Sequence, residues 1–300
     1  VDDINFKFFY INKWDNGEFK GDAISTTSEL VKISSDGNLG LQEGQKFERG
    51  GIYRFTVDVT KGNTKAVLTV EKVGKVDLPA PDIFFGNSKM EVTDTDIYKS
   101  DQVFTRGQMI TVTGIDNLNE WWIDPDFFEK QSDGTLKFLP INGDYRVTAN
   151  GILKYFSVIA LKDGKPAKLQ DDGTGAIWAI GKGIGKPSVT SSEVGWETGK
   201  ALCLAQVAPK KYQLTLKAGE TLKTSGDWEA ISFKFFYQND WGGEFSNYAS
   251  NTLVEQLKLT GSGNLEMQDN KAFEEGGVYR FTIDVTNGNA NAILKVEKIN

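Results

Sequence analysis

Residues 4–19, INFKFFYINKWDNGEF, return as ISFKFFYQNDWGGEF at 231–245. GGIYRFTVDVTKGNTKAVLTVEKV at 50–73 returns as GGVYRFTIDVTNGNANAILKVEKI at 276–299. A chain with the same two segments in the same order at both ends is modular, and the pattern within the segments identifies the module. In YRFTVDVT (53–60), Tyr53, Phe55, Val57 and Val59 alternate with Arg54, Thr56, Asp58 and Thr60. This is the period of two of a strand with one face on a core. Ala66, Leu68 and Val70 resume the inward face after Thr-Lys-Gly-Asn, and the second copy carries the hairpin dipeptide Asn287-Gly288 at that place. FKFFY places Phe6, Phe8 and Tyr10 on one face and Lys7 and Phe9 on the other. Long capped helical patterns are missing; LNEWWIDPDFF (118–128) allows one helical turn, stopped by Pro125. The fold class is all-β, as tandem β-sandwich modules of immunoglobulin-like or carbohydrate-binding-module-like type.

The copies are unequal. Before the second lies AIWAIGKGIGKPSVTSSEVGWETGKALCLAQVAPKKYQLTLKAGETLKTSG (176–226), with two or three further strands, and the first has no counterpart to it. Residues 1–74 therefore read as the second half of a module and 174–300 as a complete one. The first copy's missing strands are expected to lie upstream in a longer chain or to come from elsewhere. KVDLPAPD (75–82) is an extended linker. A middle sandwich spans 83–173, where Gly143-Asp144-Tyr145-Arg146 echoes Gly51-Ile52-Tyr53-Arg54 and Gly277-Val278-Tyr279-Arg280 and suggests a distant third copy.

Composition narrows the function. A net charge of −7 argues against nucleic acid, which requires a basic face. No apolar run reaches the ~18–20 residues of a membrane-spanning helix. The chain has no histidine, which removes the commonest general base and zinc ligand. Its single cysteine, Cys203 in ALCLA, reads as a buried thiol. The acidic stretches 93–101 and 170–175 lack the spacing of a calcium loop, and GKGIGKPS (181–188) lacks that of a phosphate-binding loop, so all three read as loops. Neither a metal nor a cofactor is expected. Glu18, Glu244, Asp124 and Asp126 are the carboxylates to weigh for glycosidase chemistry, which needs two facing each other across a cleft. Nothing in the sequence pairs them so, and the chain is read as non-catalytic.

Tryptophan in a turn offers a sugar ring a flat apolar face, and neighbouring amides and carboxylates bond its hydroxyls. Trp14, with Asn12 and Lys13, and Trp241, with Asn239 and Asp240, follow strands in such settings. Trp196 in EVGWETGK and the pair Trp121-Trp122 are further candidates, whereas Trp178 in AIWAIG reads as core. For each candidate the alternative is a tryptophan folded back over its own sheet. Only the second copy possesses a GW element, so Trp241 can share a site with Trp196, whereas the first copy offers Trp14 no such counterpart.

Gly195-Trp196 with Lys200-Ala201-Leu202, Tyr212 to Gly219, Phe233-Lys234-Phe235 with Trp241, Gly263-Asn264-Leu265 and Gly276 to Val285 stand in an order that resembles the glycan-binding modules of SusE/SusF-type lipoproteins of Bacteroidetes. The first copy supplies Phe6-Lys7-Phe8, Trp14, Gly37-Asn38-Leu39 and Gly50 to Val59. The resemblance implies β-sandwich modules and a protein held on the outer-membrane surface by a lipid anchor that lies outside this sequence. It also implies non-catalytic capture of a polysaccharide or oligosaccharide beside a TonB-dependent importer and its glycan-binding partner. Trp14-Asp15-Asn16-Gly17 and Trp241-Gly242-Gly243 depart from the Asn-Tyr-Gly-like turn of that group, which leaves the glycan unnamed. The rival reading is a structural or adhesin-like protein that uses its sandwiches as spacers.

Overall fold

The structure, a computed structural model, describes residues 4–12, 17–48, 50–76, 80–225 and 230–300. It is all-β, with three 3-10 turns and one single-turn helix among the described residues. The chain forms two compact units, Val1–Ala80 and Pro81–Asn300. The middle segment and the C-terminal copy thus belong to one body.

In the first unit the Gly51–Asp58 strand pairs antiparallel with Ala66–Lys75, and Ile24–Thr26 joins the far side of the latter in parallel. Phe6 bridges to Leu39 and Phe9 to Glu18. A small core gathers Phe19, Ile24, Val31, Leu39, Ala66, Leu68 and Val70. Alternation along Gly51–Asp58 follows the sequence, but Tyr53, Phe55 and Val57 are only half-buried.

The C-terminal copy has two facing sheets. Ser232–Phe236 lies between Trp178–Gly185 and Leu265–Met267, and Val278–Asp284 lies between Lys211–Lys217 and Ile293–Lys298. Ser250–Asn251–Thr252 adds to Ile293–Lys298 in parallel, as Ile24–Thr26 does in the first unit. Phe233, Phe235, Phe281 and Ile283 are fully enclosed. Trp178 is core as read, and its Nε1 donates to the Ala167 carbonyl at 3.0 Å.

Several local expectations change. Residues 181–185 are the end of a buried strand and not a loop. Their glycines let the backbone run against Ser232–Phe236, since a Cβ on Gly181 would fall 2.3 Å from the Phe233 Cα and one on Gly183 2.5 Å from the Ala230 carbonyl oxygen. Both residues also have positive φ, +142° and +82°, which an L side chain resists. Asn287-Gly288 does not make a two-residue hairpin. Pairing ends at Asp284 and Ile293, and a 3-10 turn, Asn289–Asn291, fills the connection. The alternation that puts Phe9 on the outer face would put its counterpart Phe236 there too, yet Phe236 is buried, with the Trp241 ring edge-on to it at 5.9 Å. The turn in 118–128 is the 3-10 helix Leu118–Glu120, which stops at Trp121, ahead of Pro125.

The middle segment builds a five-stranded sheet around Gly143–Asn150, flanked by Ile97–Phe104 and Tyr155–Lys162. Its Gly-x-Tyr-Arg echo has a local cause. A Cβ on Gly143 would lie 3.3 Å from the Tyr145 ring, and Gly51 and Gly277 stand in the same relation to Tyr53 and Tyr279. In each case the small residue lets the tyrosine ring fold back along its own strand. Ala205, from the C-terminal segment, is buried in the middle core.

Candidate site at the end of the C-terminal sandwich

Strand Ser232–Phe236 runs into a short loop that returns at Glu244, which bridges to Phe236. The Tyr237 amide donates to the Gly243 carbonyl at 2.5 Å and closes the loop. Gly243 must be small there, because a Cβ would meet Gln238 Cγ at 2.8 Å. Gln238 Nε2 donates to the Trp241 carbonyl at 2.7 Å, and the Trp241 amide donates to Asp240 Oδ1 at 2.8 Å. The peptide carrying Trp241 is thus gripped from both sides. Its side chain remains 50% exposed.

Trp196 reaches the same place from the other end of the inserted segment. Strand Glu193–Gly195 pairs with Trp178–Gly185, and the turn after it delivers a half-buried indole that packs on the sandwich core. The Trp196 and Trp241 rings lie 6.2 Å apart at 27°, a stacked pair. Trp196 supports Trp241 from one side and Phe236 from below, so the open indole is held in one orientation. Asp240 is exposed and Asn239 half-buried beside it. Trp241 thus packs on Phe236 and Trp196 and still remains half-exposed.

The other candidates separate. Trp14 and Lys13 lie outside the described residues, and Asn12 is exposed. Trp121 does not join an open surface; it stacks on buried Phe156 at 4.4 Å and 19°. Trp122 turns the other way, as two neighbours in extended chain must. Its Nε1 donates to Glu220 Oε1 at 2.5 Å, and Lys186 Nζ stands 5.9 Å from its ring centre.

Below Trp122 lies a cluster that sequence reasoning missed. Lys186, at the end of the Trp178–Gly185 strand, is buried with Asp124 and Asp126. Its Nζ donates to both Asp124 oxygens at 2.8 and 2.7 Å and to Asp126 Oδ2 at 3.1 Å. Asp126 also accepts from Gln213 Nε2 at 2.7 Å, from the Thr215 amide at 2.6 Å and from Thr215 Oγ1 at 2.6 Å. Burial works against the Lys186 charge, but the two carboxylates outweigh it and its pKa is raised. Burial likewise opposes ionisation of Asp126, and Lys186, Gln213 and Thr215 together hold its pKa lowered. At Asp124 burial prevails and the pKa is raised. The carboxylates flanking Pro125 are therefore committed to a lysine and join the middle segment to the C-terminal copy. Glu18, another of the carboxylates weighed, is paired with Lys7 at 3.0 Å. A cavity of about 610 Å³ opens above the cluster, lined among others by Tyr155, Thr190, Ser191 and Lys200.

The acidic stretches serve as turn caps. Asp172 Oδ1 accepts from the Thr174 amide and hydroxyl at 2.9 and 2.7 Å, and Asp94 Oδ1 accepts from the Thr95 amide at 2.6 Å. Cys203 is buried, and that burial pushes its thiol up to about 12.

Two family models match the chain, both of them domains of unknown function: DUF5121 over residues 1–60 and 172–286, and DUF5125 over residues 78–169. One model matching twice agrees with the duplication, and the middle segment is matched by a different one. No curated protein matches the chain.

Proposed function

We propose that this chain, which belongs to the DUF5121 family, is a non-catalytic glycan-binding protein whose complete module captures polysaccharide at the cell surface. The observation that carries this reading is the half-exposed Trp241 indole, backed by Trp196 at 6.2 Å and fixed through its own backbone by Gln238 and Asp240. A rigid apolar plate loses little conformational freedom on binding. The axial C–H face of a pyranose lies flat on such a plate, and on this reading Asp240, exposed beside Trp241, and Asn239 bond the ring hydroxyls. One open plate implies weak binding per site, with useful affinity coming from repeated engagement along a polymer.

The setting follows from the resemblance to SusE/SusF-type lipoproteins: lipid anchorage at the outer membrane and delivery of glycan to a TonB-dependent importer. Native affinity electrophoresis in gels containing neutral polysaccharides tests the reading. Retardation by one glycan that Trp241→Ala abolishes supports it, and equal mobility of both proteins in every gel refutes it.

A second reading, a spacer or adhesin-like protein, is favoured by the Lys186 cluster, which ties the middle segment and the C-terminal copy into a single body. On that reading Trp241→Ala leaves all glycan contacts unchanged.

A further inference from the structure

The two copies keep the same interior geometry under different cover. Phe6 and Phe55 lie 5.5 Å apart at 75°, and Phe233 and Phe281 lie 5.5 Å apart at 69°. Phe8–Phe55 and Phe235–Phe281 are both 6.4 Å. Phe47–Tyr53 and Phe273–Tyr279 are 4.4 and 4.6 Å, at 70° and 73°. Even the bridges repeat, Phe6 to Leu39 as Phe233 to Leu265 and Phe9 to Glu18 as Phe236 to Glu244. Yet Phe233 and Phe281 are fully buried, whereas Phe6 is 38% exposed and Phe55 is half-buried.

The difference is the segment that runs from Trp178 to Lys217. In the C-terminal copy, Trp178–Gly185 pairs with the FKFF strand, and Lys211–Lys217 pairs with Val278–Asp284 along seven residues. There Tyr212, Leu214 and Leu216 close the core, and Lys211 Nζ reaches Asp284 Oδ2 at 3.2 Å. In the N-terminal unit Gly51–Asp58 pairs only with Ala66–Lys75 among the described residues, so its other edge is open. Asp58, the counterpart of Asp284, is exposed at the end of that edge.

We propose that this open edge and the Phe6–Phe55 face are a docking surface for a two-stranded polypeptide segment with the chemistry of residues 176–217. One strand of the occupant bears glycines where it crosses FKFF, because the Gly181 site leaves no room for a Cβ against Phe233. The other alternates Tyr-x-Leu-x-Leu and begins with a lysine, which meets Asp58. The charge complement, the pairing edge and the apolar face are all defined by how the same residues are covered in the second copy. Open edges of this kind template pairing with an added strand.

The test appends residues 174–225, through a flexible linker, to the front of the full 300-residue chain, and reads hydrogen exchange at 51–58 together with binding of the dye ANS. The expected result is slowing of exchange at alternate amides of 51–58 by roughly 100-fold, of the order that separates open from core strands, with loss of dye binding. Gly→Val at the appended counterpart of Gly181 should abolish both. Should the fusion fail to fold, a synthetic peptide of residues 205–217 added to the unmodified chain must slow the same amides where a scrambled peptide does not. The proposal is overturned if exchange at 51–58 is unchanged by fusion and peptide alike, or if the valine variant protects equally well. It is also overturned if the unmodified chain already protects that edge by self-association in sedimentation experiments.

Discussion

Phe281 in the C-terminal copy has no exposed surface, and its counterpart Phe55 is half-buried, although each ring lies 5.5 Å from its neighbouring phenylalanine. The half that the copies share thus sets its own internal packing, while completion of the core depends on strands from outside it. The extra segment also builds the site of the C-terminal copy. Trp241 is propped by Trp196, and Trp196 arrives on the segment that only the C-terminal copy has.

The largest effects should come from the complete module. Lys186→Ala strands two buried carboxylates and should destabilise the Pro81–Asn300 unit by about 3–5 kcal/mol in denaturant unfolding. No such charge cluster underlies the described core of the first unit, whose unfolding should not move. Phe281→Ala should destabilise the C-terminal copy by about 3–5 kcal/mol, as a fully enclosed phenylalanine does. Phe55→Ala should destabilise the N-terminal unit by no more than about half as much, because less apolar area leaves water there. Equal losses would break the comparison.

Trp241→Ala should leave the fold intact, with a stability change on the order of 1–2 kcal/mol from uncovering Phe236, while glycan retardation is lost. Cys203, buried and pushed up to about 12, should resist thiol reagents at pH 8 in the native chain and react on denaturation. The smallest effect concerns pH. Arg146 grips Asp101 through two hydrogen bonds of 2.7 Å and holds its pKa lowered. A lowered carboxylate adds stability above its ordinary pKa, near 4, and that stability is lost as pH falls through the folded value. The pair is partly exposed, so Asp101→Asn should remove under about 1 kcal/mol at pH 7 and progressively less as pH falls through the folded value.

The strand pattern, the unequal copies and the core position of Trp178 could be read from residue order, because each rests on local alternation or on repetition, which need no knowledge of long-range contacts. The meeting of Trp196 with Trp241, 45 residues apart, was suggested only by the family resemblance. The Lys186 cluster could not be read in this way. Asp124 and Asp126 lie about sixty residues from Lys186, and Gln213 and Thr215 nearly ninety from Asp126. Only the pairing of distant strands shows that a lysine in a glycine-rich stretch is a buried counter-ion. A signal was nonetheless present, in two aspartates flanking a proline within an otherwise apolar run. The burial of Phe236 was hidden for a related reason: strand alternation does not reveal that a loop tryptophan covers the outer face.

Native-state hydrogen exchange on the intact, unmodified chain compares the two copies most directly. The Val278–Asp284 strand should show protection along its whole length, and Gly51–Asp58 should exchange rapidly at the alternate amides that face away from Ala66–Lys75. Uniform, equal protection of both strands would contradict the account, because it would mean that the first copy is already complete.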